Sequence, residues 1–255
     1  MNEQNQIRRI LLVVAYDGTA YHGWQLQPEC VTIEGVLNDT LSDLFREPIQ
    51  VIGASRTDAG VHAYGNVAVF DTTAYIPAEK IPYALNRKLP DDIRIQKAMQ
   101  VNDDFHPRKC ESRKTYEYRI LNTEFPIPQK RLYAHWTYYS LDVDRMRQAA
   151  GYLIGEHDFK SFCSVNTQAE TTVRTIYELQ VEREADHQDE IVIRVAGNGF
   201  LYNMVRIIAG TLIEVGRGKL EPEDVIKILE AKDREAGGPT APAQGLTLVK
   251  YEFMG

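Results

Sequence analysis

Cysteine is scarce in this chain: 255 residues hold three, Cys30, Cys110 and Cys163, far apart in sequence. That excludes a disulfide framework and gives no zinc-binding pair. No apolar run is long enough to span a bilayer; "ILLVVAY" at residues 10–16 is too short. The opening "MNEQNQIRRI" is polar and lacks the apolar core of an export signal. Cytoplasmic residence is therefore the expected location. Phosphate-binding glycine loops, zinc-protease helices and serine-hydrolase elbows are all missing, and the six histidines show no metal spacing. Nothing points to a bound cofactor or metal. Chemistry, if present, must come from carboxylates, tyrosines and arginines.

Composition is that of a globular protein, with 44% hydrophobic and 25% charged residues. The net charge of −7 argues mildly against nucleic acid, but it is unevenly spread. The stretch 108–131 carries seven Lys or Arg against three Glu, a local +4 that leaves −11 for the rest. One basic region on an acidic body suits a phosphate-binding cleft, and equally an ordinary solvated face.

Periodicity orders the first half as strand (7–16), helix (32–47), strand (48–54), strand (65–72), helix (77–89) and strand (93–101). The second half repeats that order: strand (114–121), helix (142–155), two strands (175–183 and 189–197), helix (200–216), a further helix opening at Pro222, and a closing strand (246–253). Each half reads β-α-β-β-α-β. The expected fold is α+β: two tandem ferredoxin-like units forming one extended, mainly antiparallel sheet, with helices on one face and a cleft near the junction. The expected units are 1–106 and 107–255, the latter including a Gly- and Pro-rich loop at 235–245 of a length that suits a lid or binding loop.

Between two strands of the first half stands "GASRTDAGVHA" (53–63). Asp58 there reads either as a turn residue or as a catalytic carboxylate, with Arg56 two residues away. Arg206 lies within the apolar helical stretch "MVRIIAG", where a guanidinium either pairs with a carboxylate or reaches out to solvent. Lys114, Tyr116 and Tyr118 share one face of a strand, an aromatic-basic pattern that suits base stacking and phosphate contact.

The combination of "YDGTAYHGWQLQ" (16–27), "GASRTDAGVHA", "SRKTYEYRI" (112–120), "HDFKSFCS" (157–164), "GNGFLYNMVRIIAGTLIEVGRG" (197–218) and "APAQGL" (241–246) resembles the tRNA pseudouridine synthase A family, in order and over nearly the whole chain. Where the family usually has Gly, Gln and Ala, this chain has Ser55, Asn66 and Pro107; Ser resists backbone angles that Gly permits. The resemblance implies isomerisation of uridine to pseudouridine at positions 38, 39 and 40 of the tRNA anticodon stem-loop. It implies a homodimer with tRNA as partner and no cofactor or metal. Within the family's scheme Asp58 is the essential carboxylate and Arg206 its charged neighbour. Arg56 enters the RNA as the base is extruded, and Tyr116 stacks on the detached uracil. Arg113 and Lys114 of the basic stretch would contact phosphates. Removal of the C5 proton falls to Tyr116 or a water. A tRNA-binding module without chemistry and a small-molecule enzyme using Asp58 as nucleophile are the rival classes. The first would tolerate loss of Asp58, and the second would show little salt dependence.

Overall fold

A computed structural model describes residues 7–165 and 169–254. The described chain divides into two compact units, one running to Glu111 and taking in Phe253 and Met254, the other Ser112–Glu252. The fold is α+β with mainly antiparallel strands.

In the first unit, β1 (Arg8–Tyr16) lies between β4 (Ile93–Val101) and β3 (His62–Thr72), antiparallel to both. Ile10, Leu12, Val14 and Tyr16 recur at period two and are all buried, as a central strand requires. Helix α1 (Ile33–Phe45) starts where Thr32 Oγ1 accepts the Gly35 N–H at 3.2 Å and ends at Arg46 in the left-handed region. Its buried residues Ile33, Leu37, Leu41 and Phe45 form one stripe at i, i+4 spacing, and Phe45 meets Phe70 of β3 at 5.5 Å between ring centroids. Helix α2 (Ile81–Leu85) packs against β4 and touches α1, so both helices share a face of the sheet.

Two elements here are shorter than periodicity predicts. The strand expected over 48–54 is only β2 (Ile52–Gly53). Side chains of α1 capture the N–H groups that a longer ladder would use: Ser42 Oγ takes Ile49 N–H at 2.9 Å and Asn38 Oδ1 takes Val51 N–H at 2.8 Å. The helix expected over 77–89 is a 3₁₀ turn (Ala78–Lys80) followed by five residues. Asn86 ends it by clasping both the N–H and the C=O of Ile95, at 2.8 and 2.9 Å.

The second unit orders its strands β10 (Leu246–Phe253), β5 (Ser112–Asn122), β9 (Glu190–Gly197), β8 (Val173–Arg183) and β7 (Gly155–Asp158), with β6 (His135–Thr137) parallel to β5. Strands β6 and β7 add to the expected order; three and four residues are too few for a period-two pattern to register. Helices α3 (Val143–Gly151) and α4 (Met204–Gly216) touch each other and pack on β8 and β5 respectively, again on one face. Helix α5 (Asp224–Ala231) starts beyond Pro222. Helix α4 begins four residues later than expected, because Asn203 adopts φ 61° and ψ 5°. The 235–245 loop is tied to α4: Gly238 N–H donates to Thr211 Oγ1 at 3.1 Å and Ala241 N–H to Arg206 O at 3.1 Å.

The opposite face of β5 carries charge. Glu117, directly across from Arg194 in register, accepts from it at 2.6 Å and from Arg119 at 3.0 Å. Arg119 also reaches Glu184 and Glu190, and Lys130 reaches Glu190 at 2.7 Å. Part of the basic 108–131 stretch is thus neutralised within the chain.

Candidate active site

The loop after β2 is fixed from three sides within the first unit. Ala54 N–H reaches Val67 O at 2.7 Å. Asn66, fully buried, spends its amide on the next residue: Oδ1 accepts Ser55 N–H at 3.3 Å and Nδ2 donates to Ser55 O at 2.9 Å. Its Nδ2 also donates to Tyr16 Oη at 3.3 Å, and Tyr16 Oη is 2.8 Å from Thr57 Oγ1. Burial pushes the Tyr16 hydroxyl's pKa up, so it stays protonated in this network. The Thr57 carbonyl takes Trp24 N–H at 3.0 Å. Val61 N–H then closes a turn onto Asp58 O at 3.1 Å, with Gly60 at φ 78°.

Asp58 therefore rides, half-buried, on a turn whose preceding residues are locked, and Arg56 is exposed on the same loop. The "YDGTAYHGWQLQ" block acquires a physical role here. Gly23 has φ 85°, and a Cβ there would stand 2.6 Å from Thr57 O. Tyr16 and Trp24 supply the two contacts to Thr57. Ser55 keeps an ordinary φ, since among the described residues the non-glycine positions with positive φ are Glu29, Arg46, Asn203 and Lys232. Its hydroxyl is buried and finds no hydrogen-bond partner among the described residues.

In the second unit, Tyr116 is buried on β5 with its ring edge-on to Phe200 at 5.3 Å. Tyr118, two residues on, donates to Pro242 O at 2.9 Å; burial pushes its pKa up, and the charge of Arg206 partly offsets that. Arg206 is half-buried on the first turn of α4 between Val205 and Ile207. Its Nε donates to Ala241 O at 2.7 Å and its Nη1 to Asn203 Oδ1 at 2.8 Å. Lys114 stands on the Tyr116 side of β5, its Nζ 5.3 Å from the Tyr251 ring centroid. Arg113 points to the opposite side, pairs with Glu178 at 2.6 Å and lies over Tyr177. The strand does not bring Arg113 and Lys114 to one surface.

Sequence reasoning missed Tyr16, Trp24, Asn66 and Asn203 as supports. Asn66 was visible only as a departure from the family pattern, and a lone polar residue in an apolar strand was the signal available. Among the described residues no three His, Cys, Asp or Glu side chains are grouped to hold a metal. No helix there is long and apolar enough to cross a membrane.

Comparison with known proteins places the chain in a class of RNA-modifying isomerases. The model of the tRNA pseudouridine synthase family matches residues 12–108 and 149–254, and the chain belongs to that family. It is 49% identical to tRNA pseudouridine synthase A of Thermoanaerobacter sp. (strain X514), over 97% of this chain and 100% of that one. With the protein of the same name from Exiguobacterium sp. (strain ATCC BAA-1283 / AT1b) identity is 50%, over 96% and 99%. With that from Brevibacillus brevis (strain 47) it is 49%, over 95% and 98%. The chain is accordingly an isomerase that converts uridine to pseudouridine in tRNA.

Proposed function

We propose that the substrate uridines are those at positions 38, 39 and 40 of the anticodon stem-loop, and that Asp58 is the essential carboxylate. The positions follow from the family resemblance; the observation that carries the Asp58 assignment is the bracing of its turn: Thr57 is held through both its carbonyl and its hydroxyl, while the Asp58 side chain remains half-buried rather than enclosed. A carboxylate that only decorated a turn would not need two buried aromatic residues behind it.

The reaction breaks the C1′–N1 bond, turns the uracil and joins C1′ to C5. C5 loses a proton and N1 gains one, so the product is an isomer and no co-reactant is consumed. Asp58 supplies the nucleophile at C1′ or C6. By the family resemblance Arg206 is the second charged group of the mechanism. A base in a stem must leave the stack to be reached, and the exposed Arg56 on the Asp58 loop suits entry into the space it vacates. Tyr116 stacks on the detached uracil, a contact worth about 1–3 kcal/mol, and it or a water accepts the C5 proton. Lys114 contributes to phosphate contact. The family resemblance supports a cofactor-free cytoplasmic homodimer. The test is a single-turnover assay of Asp58→Asn on unmodified tRNA transcripts, with pseudouridine mapped by position. Loss of product at 38, 39 and 40 with tRNA binding retained is expected. Activity within about tenfold of wild type would remove Asp58 from the mechanism, since losing a covalent nucleophile costs far more than that.

A further inference from the structure

We propose that Asn203 is a positioning residue that sets the Arg206 guanidinium, with Ser164 holding Asn203 in turn. Asn203 occupies the N-cap of α4, and its C=O takes the first helical bond, from Ile207 N–H at 2.9 Å. Its side chain does not do what an N-cap side chain ordinarily does. It accepts from no N–H of the first helical turn. Instead Oδ1 takes Arg206 Nη1 at 2.8 Å, and Nδ2 donates to Ser164 Oγ at 2.8 Å.

The backbone is bent to make this possible. At φ 61° Asn203 sits in the left-handed region, which Asn tolerates better than most residues but still occupies at a cost. Ser164 is itself anchored, its N–H donating to Tyr202 O at 3.1 Å. On the other side of the guanidinium, Nε donates to Ala241 O at 2.7 Å while Ala241 N–H returns to Arg206 O at 3.1 Å. Two acceptors on two different nitrogens fix a planar fork in both direction and roll, which a single acceptor does not. A left-handed cap that forgoes its capping bond to hold a neighbouring guanidinium is a device for orientation.

This inference rests on the catalytic reading of Arg206, and the experiment separates the two. Asn203→Gly keeps the left-handed backbone without strain and deletes both side-chain bonds. With unmodified tRNA transcript, kcat is expected to fall about tenfold, the size of one charge-assisted hydrogen bond, with KM nearly unchanged. In an Arg206→Lys background, the same replacement is expected to cost far less, because its effect runs through Arg206. Wild-type kcat for Asn203→Gly beside a defective Arg206→Lys would overturn the inference and leave the Arg206 role intact. An equal loss in both backgrounds would overturn it too, as Asn203 would then act on its own. Normal kcat in both Arg206→Lys and Arg206→Leu would remove the role of Arg206, and the inference with it. Should Asn203→Gly not fold, Ser164→Ala decides: a lowered kcat at unchanged KM supports the linkage, and an unchanged kcat overturns it.

Discussion

Replacing Asn66 tests whether the Asp58 turn is held by one buried amide. Asn66 makes four hydrogen bonds, at 2.9 Å to Ser55 O and Val67 N–H and at 3.3 Å to Ser55 N–H and Tyr16 Oη. It is fully buried, so water cannot reach the groups that Asn66→Ala strips. A typical buried bond contributes about 1 kcal/mol net, and a stranded partner costs about 1–3 kcal/mol. Counting the two short bonds in full and the two long ones at less, Asn66→Ala should cost about 3–4 kcal/mol. A chain of this size loses about 2–4 °C per kcal/mol, so Tm should fall by about 10 °C. Asn66→Asp sharpens the test because it is nearly isosteric. It faces the Ser55 carbonyl with a second acceptor where Nδ2 stood, and buries a charge without a partner. At pH 7 it should be less stable than Asn66→Ala. Its folded pKa would be raised above the unfolded value, so the native state holds its proton more tightly and the defect should shrink as pH falls through that folded pKa. Urea unfolding of wild type and both variants between pH 7 and 5 measures this. If Asn66→Ala unfolds within about 1 kcal/mol of wild type, below the worth of even its two short bonds, or if Asn66→Asp shows no recovery in acid, the clasp is not what holds the loop.

Three further outcomes are expected. Gly23→Ala places a Cβ 2.6 Å from Thr57 O at φ 85°, so it should destabilise by about 2–4 kcal/mol and reduce turnover more than tRNA affinity; a wild-type melting curve would contradict this. Wild-type stability should decline progressively below about pH 4.5, near the unfolded carboxylate values. Among the carboxylates that sit below their ordinary pKa in the fold are three that are partly buried: Glu47, where hydrogen bonds from Thr72 and Thr73 outweigh burial; Asp158, through Thr172 and Lys232; and Glu190, where Lys130 and Arg119 outweigh burial. Such groups contribute stability above their unfolded pKa that is lost as they protonate, and a flat profile by urea titration down to pH 3.5 would refute it. Finally, Lys114→Ala should flatten the dependence of log tRNA affinity on log salt by about 0.7–0.9, one phosphate contact. Arg113→Ala, whose charge is already engaged by Glu178 on the other side of β5, should leave the slope unchanged.

Local chemistry made much of this protein readable in advance. The stripe of α1 and the Thr32 cap are local patterns, governed by neighbours within a few residues, and they emerged as expected. So did the βαββαβ order of the first unit and the "RTDAG" turn around Asp58. Elements whose backbone bonds go to distant side chains were not readable. Periodicity predicts a strand over 48–54, but Ser42 and Asn38 take its N–H groups; it predicts a long α2, but Asn86 closes on Ile95. Alternation along β5 did put Tyr116 and Lys114 on one side, while the pleat puts Arg113, adjacent in sequence, on the other, where it pairs with Glu178. The supports of the site belong wholly to tertiary structure. Tyr16 and Thr57 are 41 residues apart, Asn203 and Ser164 are 39, and no local pattern links either pair. A sequence announces which residues can do chemistry because that depends on side-chain type. Which residues hold them still depends on which strands and helices meet, and burial of the whole chain decides that.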